Sequence, residues 1–190
     1  MSRSWESSKL PRMEVTEEAL ATLTVRPIRA DDRKRILDAR RYTSPQTYSQ
    51  RFHEAAHHFS DHELTYLTEV DVENHIALVA TECDDPDRLV AVARCVRHRD
   101  DPGEAELAIT VHDPYQHRGI GSAMLRLLCD MAIERGIVRM RAFIERDNAA
   151  MIGLMHKVFP EARRADRFGR TWEFVADVVS GPPKPWSGAR

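Results

Sequence analysis

The sequence predicts an α+β fold in which helices flank a mixed, mostly antiparallel sheet. Three observations carry this prediction: consecutive segments with strand-like alternation, a long segment with helical period after Gly119, and a strand–helix–strand pattern near the end of the chain. The predicted order is β α α β β β α β α β β. A length of 190 residues is enough for one well-filled core. We therefore expect one domain over residues 23–179, an N-terminal extension over 1–22 and a disordered tail over 180–190.

The first half of the domain begins with a strand and then turns helical. Leu23 to Ile28 alternates as a strand does, and Asp31 or Asp32 is placed to cap a helix that reaches Arg41. Ser44 followed by proline is typical of a second helix start. A third, short helix is predicted near Ser60.

The middle of the chain predicts an antiparallel meander. The segments IALVATE, LVAVARCV and EAELAITV (76–82, 89–96 and 104–111) are separated by acidic turns that contain proline. From Gly119 the apolar residues follow a helical period, and Gly136 is placed as a C-cap. A strand over 138–144, a helix over 147–158 and strands near 163–167 and over 171–178 complete the pattern.

Composition excludes several functional classes. Lys and Arg total 28 against 30 acidic residues, so the chain lacks the excess positive charge of a dedicated nucleic-acid binder. No apolar run reaches membrane-spanning length and no signal peptide is recognisable, which predicts a cytoplasmic protein without a membrane partner. Cys83, Cys95 and Cys129 form no CxxC pair, so reduced core thiols are predicted.

The chemistry is concentrated in GEAELAITVHDPYQHRGIGSAML, where a strand runs through a short turn into the strongest helix. A helix start presents backbone N–H groups without intrahelical partners, and the peptide dipoles add partial positive charge there. Glycines let a pyrophosphate approach the backbone. The spacing QxxGxG is weak by itself, because two glycines at a helix start can be a turn and cap only. The dinucleotide-binding GxGxxG and Walker patterns are absent from the sequence.

This turn resembles the acetyl-CoA motif Q/R-x-x-G-x-G/A of the GCN5-related N-acetyltransferases (GNAT family). The resemblance covers about residues 23–178, because RPIRADD, SPQTYSQRF, YLTEVDVENHIALVA and DPGEAELAITV are similar to the acetyltransferase domain of bacterial Pat-type protein lysine acetyltransferases. It implies the GNAT fold, with the sheet splayed open between strands 4 and 5. It also implies acetyl-CoA as cosubstrate, no metal, a protein lysine acceptor, and a monomer or homodimer.

The resemblance places the cofactor site on eleven residues. The pyrophosphate loop falls on seven consecutive positions. The pantetheine and acetyl carbonyl fall on the end of the fourth strand, and a further CoA contact falls on an asparagine after the fifth strand. These residues are Gln116, His117, Arg118, Gly119, Ile120, Gly121 and Ser122; Ile109, Thr110 and Val111; and Asn148.

Amine acetylation requires a neutral amine, whereas a lysine side chain has a pKa of about 10.4 in water. A carboxylate in the acceptor cleft can take the proton. Alternation along EAELAITV puts Glu104 and Glu106 on one face of the strand. The resemblance selects Glu106 as the general base. The alternative is that both glutamates lie on the solvated face of a half-exposed strand.

The general acid is not identified by the sequence. Many relatives carry a tyrosine in the last helix, in a pattern like LYEKLGF, whereas the matching run here is LMHKVFP. Met155 stands at the tyrosine position and cannot donate a proton, which leaves His156 or solvent. Two alternatives to a protein lysine acetyltransferase stay open: a small-molecule amine acetyltransferase, and a regulatory acyl-CoA sensor that has lost catalysis.

A second motif, HEAAH, runs from His53 to His57 and matches the HExxH pattern of zinc metalloproteases. A zinc site needs a third ligand, and the metzincin extension does not follow the second histidine. A downstream glutamate could in principle complete a thermolysin-like set. However, the segment falls where the resemblance places a polar and aromatic region between the first helices, so we expect no metal. His53, His57, His58 and His62 are instead expected to flank the acceptor entrance or to form an incidental surface cluster.

Overall fold

A computed structural model describes residues 19–39, 41, 43–44, 59–166 and 169–179. Within them, the strands are β1 (Leu23–Pro27), β2 (His75–Glu82), β3 (Leu89–Arg97), β4 (Glu104–Val111), β5 (Arg139–Glu145), β6 (Arg163–Asp166) and β7 (Thr171–Asp177). The helices are α1 (Arg33–Ala39), α2 (Asp61–Thr68), α3 (Ile120–Glu134) and α4 (Ala149–Val158). The order matches the predicted α+β pattern. The helix predicted to begin at Pro45, the extension before residue 19 and the tail over 180–190 lie outside the described residues.

The described strands form one mixed sheet in the order β1-β2-β3-β4-β5-β7-β6. Strands β1 to β4 pair antiparallel with their neighbours, which confirms the predicted meander. The β4–β5 pair is parallel, and β5, β7 and β6 are again antiparallel. Helix α3 supplies the long return connection that a parallel pair requires.

Two apolar clusters cover the two faces of the sheet. The larger one buries α3 and α4 against the sheet, with Met124, Leu128 and Met155 wholly inaccessible to solvent. The smaller one joins α1 to β2 and β3 through residues such as Ala39 and Val79. Among the described residues, α3 and α4 therefore pack on one face of the sheet, and α1 packs on the other.

Helix α1 starts differently from the prediction. A 3-10 turn over Ala30–Asp32 precedes it, and the residue in the N-cap position is Arg29. Asp32 lies three residues later, and its carboxylate accepts a hydrogen bond from the backbone N–H of Arg29 at 2.9 Å. The predicted capping carboxylate thus acts from the third position of the turn, and the regular helix ends at Ala39, before the expected Arg41.

Helix α3 confirms the sequence prediction at both ends. Gly119 occupies the N-cap position with φ 81°, and Gly136 follows the C-terminus with φ 79°.

The three cysteines differ in exposure. Cys95 and Cys129 are buried as predicted, but Cys83 is exposed directly after β2, so the prediction of three core thiols is wrong for that residue. No helix in the described ranges is long and apolar enough to cross a membrane.

Candidate active site

A left-handed turn leads from the end of β4 into α3. His117 has φ 60° and Gly119 has φ 81°, a conformation that glycine adopts without steric cost. The first hydrogen bond of α3 runs from the N–H of Ala123 to the carbonyl of Gly119 at 3.1 Å. The N–H groups that precede Ala123 in the first turn therefore have no intrahelical acceptor. With the helix dipole, they form an anion site suited to phosphate.

The Gln116 side chain fastens this turn to the end of β4. Its Nε2 donates to the Val111 carbonyl at 3.0 Å and to Asp113 Oδ1 at 3.1 Å. The other carboxylate oxygen of Asp113 accepts from the backbone N–H of Ser44 at 2.7 Å. The structure thus gives the predicted cofactor ligand Gln116 a clear role in shaping the loop, and a contact with phosphate remains a prediction.

His112 provides a further link between the end of β4 and the chain after α1. It is buried, and its Nδ1 lies 2.6 Å from the hydroxyl of Thr43. Burial lowers the pKa of His112 to about 4, so its ring is neutral at physiological pH. A neutral ring is suited to a positional role at this corner of the sheet.

Tyr115 anchors the same turn to β2. Its hydroxyl donates to Glu82 Oε1 at 2.8 Å and accepts from Arg88 Nε at 3.2 Å. Burial raises the pKa of Tyr115, so the hydroxyl keeps its proton. The guanidinium of Arg118 lies 5.6 Å from the centre of the Tyr115 ring. The loop is thereby tied to the end of β2 and to the turn between β2 and β3 before α3 begins.

Gly121 allows a close approach between α3, α4 and β4. A Cβ at this position would lie 3.2 Å from Leu154 Cδ2 and 3.6 Å from Val111 Cγ2. The flanking Ile120 and Ser122 are both buried. The second glycine of the motif thus serves packing, whereas Gly119 serves backbone conformation.

The sheet opens between β4 and β5. Their parallel pairing is limited to three residue pairs, from Glu104 with Arg139 to Glu106 with Arg141. Both strands continue beyond this last pair, β4 as far as Val111, without pairing with each other. The resulting wedge confirms the predicted splay between strands 4 and 5.

Ile109, Thr110 and Val111 line the β4 side of this wedge, and all three are partly buried. They pair with β3 on one edge, so the other edge of β4 faces the opening. At about 3.3 Å per residue, the strand spans roughly 17 Å from Glu106 to Val111. An extended pantetheine arm has a length of the same order. A thioester whose phosphates bind at the α3 turn can therefore reach Glu106 along this edge.

Glu106 and Glu104 have different environments although they share one strand face. Glu106 is exposed, whereas Glu104 is 4% exposed. Arg141 Nε and Nη2 donate to the two oxygens of Glu104 at 2.7 and 3.1 Å, and the hydrogen bond from Arg141 is the main cause that lowers the pKa of Glu104. Arg139 Nη1 adds a contact with Glu104 Oε2 at 3.4 Å. The alternative of two solvated glutamates is thus wrong for Glu104, because the β5 arginines bury it in an ion-pair network.

Asn148 caps α4 at the end of the wedge next to β5. Its Oδ1 accepts from the backbone N–H of Met151 at 2.9 Å. Met155, at the position of the family tyrosine, is wholly buried in the core, which explains why an apolar residue is tolerated there. His156 is exposed and lies edge-on to Phe174, with 5.7 Å between ring centres. None of these contacts assigns a general acid.

The HEAAH segment lies outside the described residues, as do His53, His57 and His58. His62 is described and is exposed on α2. Within the described part of the chain, no group of three or more His, Cys, Asp or Glu side chains is arranged to hold a metal ion. For the HEAAH segment, the expectation that no metal binds therefore stays a prediction.

Comparison with known proteins identifies the family. The model of the Acetyltransferase (GNAT) family matches residues 35–159, which is most of the chain. The chain belongs to the GNAT family. It is 34% identical over 148 residues to the acetyltransferase Pat of Mycolicibacterium smegmatis, and the match covers 78% of this chain and 41% of that protein. This chain thus matches about two-fifths of the length of that relative.

Solved structures agree with this assignment. The GNAT domain of S. lividans PAT superimposes with a TM-score of 0.72 at 26% identity, covering 81% of this chain and 89% of that one. The yncA protein of Salmonella typhimurium, solved with its cofactor acetyl-CoA, gives a TM-score of 0.64 at 22% identity and covers 86% and 98% of the two chains. The predicted GNAT fold and enzyme class are therefore confirmed, whereas the individual roles of the site residues remain predictions.

Sequence reasoning missed the Glu104–Arg139–Arg141 network of the GNAT domain. The signal was present, since Arg139 and Arg141 alternate on β5 with the same period as the two glutamates on β4. This alternation predicts the ion pairs only when the parallel pairing of β4 and β5 is known. Cross-strand ion pairs depend on that register.

Proposed function

We propose that this domain binds acetyl-CoA in the β4–β5 wedge and transfers the acetyl group to the side-chain amine of a protein lysine. The wedge carries this proposal: it has an anion site at the α3 turn, an open strand edge, and an exposed carboxylate where the strands separate. Acetyl-CoA supplies the activated acetyl group. The GNAT membership and the acetyl-CoA in the yncA structure support this donor.

Each part of the wedge has a separate role in this proposal. The first-turn N–H groups of α3 bind the pyrophosphate, with the loop from Gln116 to Ser122 around it, and Asn148 contacts CoA from the α4 side. The open edge of β4 at Ile109–Val111 hydrogen-bonds the pantetheine, and a backbone N–H there stabilises the developing oxyanion. Glu106 accepts the proton from the attacking ammonium, directly or through one water.

The proposed reaction transfers the acetyl group directly from CoA to the lysine, without an acetyl-enzyme intermediate. Glu106 takes a proton from the lysine ammonium, and the neutral nitrogen forms a bond to the acetyl carbonyl carbon. The C–S bond breaks and CoA leaves as a thiolate. The nitrogen loses its second proton to solvent as the amide forms, and the thiolate takes a proton from His156 or solvent. No cysteine is needed as a nucleophile, which is consistent with burial raising the pKa of the Cys95 thiol to about 12.

The surroundings of Glu106 support a macromolecular acceptor. Phe143 lies on the neighbouring strand, on the same sheet face as Arg141, and is 37% exposed. Arg141 is the β5 partner of Glu106, and Phe143 follows it by two positions, so an exposed base and an exposed aromatic ring lie on the same sheet face. Such a face suits a lysine presented on a protein surface better than an enclosed small amine. We propose a cytoplasmic location on the same basis as the sequence prediction.

An acceptor screen tests this function. Purified protein with acetyl-CoA is incubated with lysine-containing peptides, folded proteins and small amines, and free CoA and acceptor mass are measured. We expect acetyl-lysine on peptide or protein acceptors. Higher kcat/KM for a small amine would establish the small-molecule alternative, and acetyl-CoA binding without turnover of any acceptor would establish the sensor.

The N-cap glycine gives a direct test of the anion site. Gly119→Ala puts a Cβ on a left-handed residue, which costs about 1–2 kcal/mol of stability and displaces the N–H groups that follow. We expect the affinity for acetyl-CoA, measured by titration calorimetry, to fall about tenfold, which corresponds to about 1.4 kcal/mol.

Gly136→Ala is the matched control, because Gly136 has nearly the same φ at the other end of α3 and open space around its Cβ position. It should lower the melting temperature to a similar degree without changing the affinity. Equal affinities for the two variants would contradict the proposed anion site.

A further inference from the structure

Arg141 is the basic residue that the strand register places beside Glu106. The two residues form the last parallel pair of β4 and β5, and paired residues project from the same face of a sheet. A cation within about 4–6 Å of a carboxylate lowers its pKa by roughly 1–3 units. A direct pair between Arg141 and Glu106 would therefore make Glu106 a poor base at neutral pH.

The Arg141 guanidinium is instead held by two other carboxylates. Glu104 accepts from Nε at 2.7 Å and from Nη2 at 3.1 Å, which is a bidentate geometry, and Glu173 accepts from Nη1. The Glu104 side chain is 5% exposed, so this pair is only weakly screened by solvent. Within the described residues, no hydrogen bond or ion pair joins Arg141 to Glu106. The hydrogen bond from Arg141 to Glu104 is the main cause that raises the pKa of Arg141, and the charge of Glu106 makes only a smaller contribution.

Other charged or titratable groups on this sheet face are also engaged. Arg94 Nη1 donates to the Leu67 carbonyl of α2 and lies 3.2 Å from His75 Nε2. Burial lowers the pKa of His75 to about 4, so that ring is neutral. The charged or titratable groups on the Glu106 face of the strands β2, β3, β4, β5 and β7 are His75, Arg94, Glu104, Arg139, Arg141, Glu145, Glu173 and Asp177, and Asp177 Oδ1 lies 3.5 Å from Arg139 Nε.

We infer that Glu104 is a positioning residue that neutralises Arg141 and holds its guanidinium away from Glu106, which leaves the Glu106 carboxylate free to accept the substrate proton. The inference rests on the proposed role of Glu106 as general base. It assigns separate tasks to the two glutamates of EAELAITV. Glu106 handles the proton, and Glu104 sets the charge around it without touching the substrate.

The pH dependence of kcat/KM tests this inference in the full chain. Glu104→Gln leaves Arg141 with one carboxylate fewer, so the acidic limb of the profile should move to lower pH by about one unit. Arg141→Gln removes the cation and should move the limb in the opposite direction. A purely structural role for the network would lower activity or the melting temperature without moving the limb.

Asp101→Asn is the control, because Asp101 contacts Arg139 at 3.3 Å in the same network but is exposed and does not contact Arg141 in the described residues. The acidic limb of the kcat/KM profile of Asp101→Asn should stay at the wild-type pH. If Glu104→Gln fails to fold, two other variants still test the inference. The acidic limb of the kcat/KM profile should move to higher pH in Arg141→Gln and to lower pH in Glu173→Gln.

The outcomes separate the inference from the proposed base. Should Glu106→Gln leave the acidic limb of the wild-type profile intact, the assignment of Glu106 fails. Should Glu106→Gln remove the limb while Glu104→Gln and Arg141→Gln both leave it in place, only the positioning role fails. A crystal structure of Glu104→Gln is expected to show the Arg141 guanidinium shifted towards Glu106.

Discussion

Glu106→Gln is expected to lower kcat for acetyl transfer by about 10²- to 10⁴-fold, the range that general base catalysis contributes. Glutamine is nearly isosteric with glutamate but cannot accept the proton of an ammonium group. The loss should shrink as the pH approaches the acceptor pKa of about 10.4, where the free amine forms without help. Steady-state kinetics between neutral pH and pH 10 measure both effects.

The affinity for acetyl-CoA should not change in Glu106→Gln. The proposed phosphate site lies beyond the far end of β4, and Val111 alone is roughly 17 Å from Glu106 at 3.3 Å per residue. Glu134→Gln is a control for loss of a carboxylate, since its side chain is 77% exposed at the C-terminal end of α3. Wild-type turnover by Glu106→Gln with a protein acceptor would refute the proposed base.

Asp32→Ala is expected to lower the free energy of unfolding by about 3–5 kcal/mol, the usual cost of removing one partner from a buried ion pair. Asp32 is wholly buried, and Arg26 donates to both of its oxygens at 2.7 Å. Arg35 and the backbone N–H of Arg29 also donate to it, at 3.1 and 2.9 Å. Its removal leaves a guanidinium and the N–H that starts the turn without their shared acceptor.

Protonation of Asp32 at low pH weakens the same ion pair that Asp32→Ala removes. Burial alone would raise the pKa of Asp32, but the hydrogen bonds from Arg26 and Arg29 outweigh it and hold the pKa below its ordinary value. A carboxyl with a depressed native pKa stabilises the fold above its unfolded pKa of about 3.9 and loses that contribution as the pH falls through the native pKa. The difference in unfolding free energy between wild type and Asp32→Ala, measured with urea, should therefore begin to shrink below about pH 4 and be smallest below the native pKa of Asp32.

Asp31→Ala is the matched control, because Asp31 is the preceding residue and its side chain is 69% exposed. It should leave the unfolding curve nearly unchanged. An equal loss of stability in the two variants would show that the buried ion pair is not the cause.

Local features of the candidate site were predictable from the sequence because short windows encode them. Gly119 and Gly136 mark the two ends of α3, since the left-handed conformation at both positions favours glycine. The alternation in EAELAITV predicted the bounds of β4 to the residue, and the pyrophosphate loop followed from a motif of six positions. These features depend on neighbours only a few residues away in the chain.

The environment of the two glutamates was decided by the tertiary structure. Glu104 and Arg141 are 37 positions apart, and their ion pair exists only because β4 and β5 pair in parallel over three residue pairs before they separate. Likewise, Asp32 was predictable as a helix-start residue, but its burial against Arg26 depends on how β1 and α1 pack. By itself, the sequence predicted the order of the elements and the two ends of α3, and with the family resemblance it proposed a pyrophosphate loop and Glu106 as the base. Register and burial decided which carboxylate is paired and which faces the wedge, because the energy of a charge depends on solvent and partners that distant segments supply.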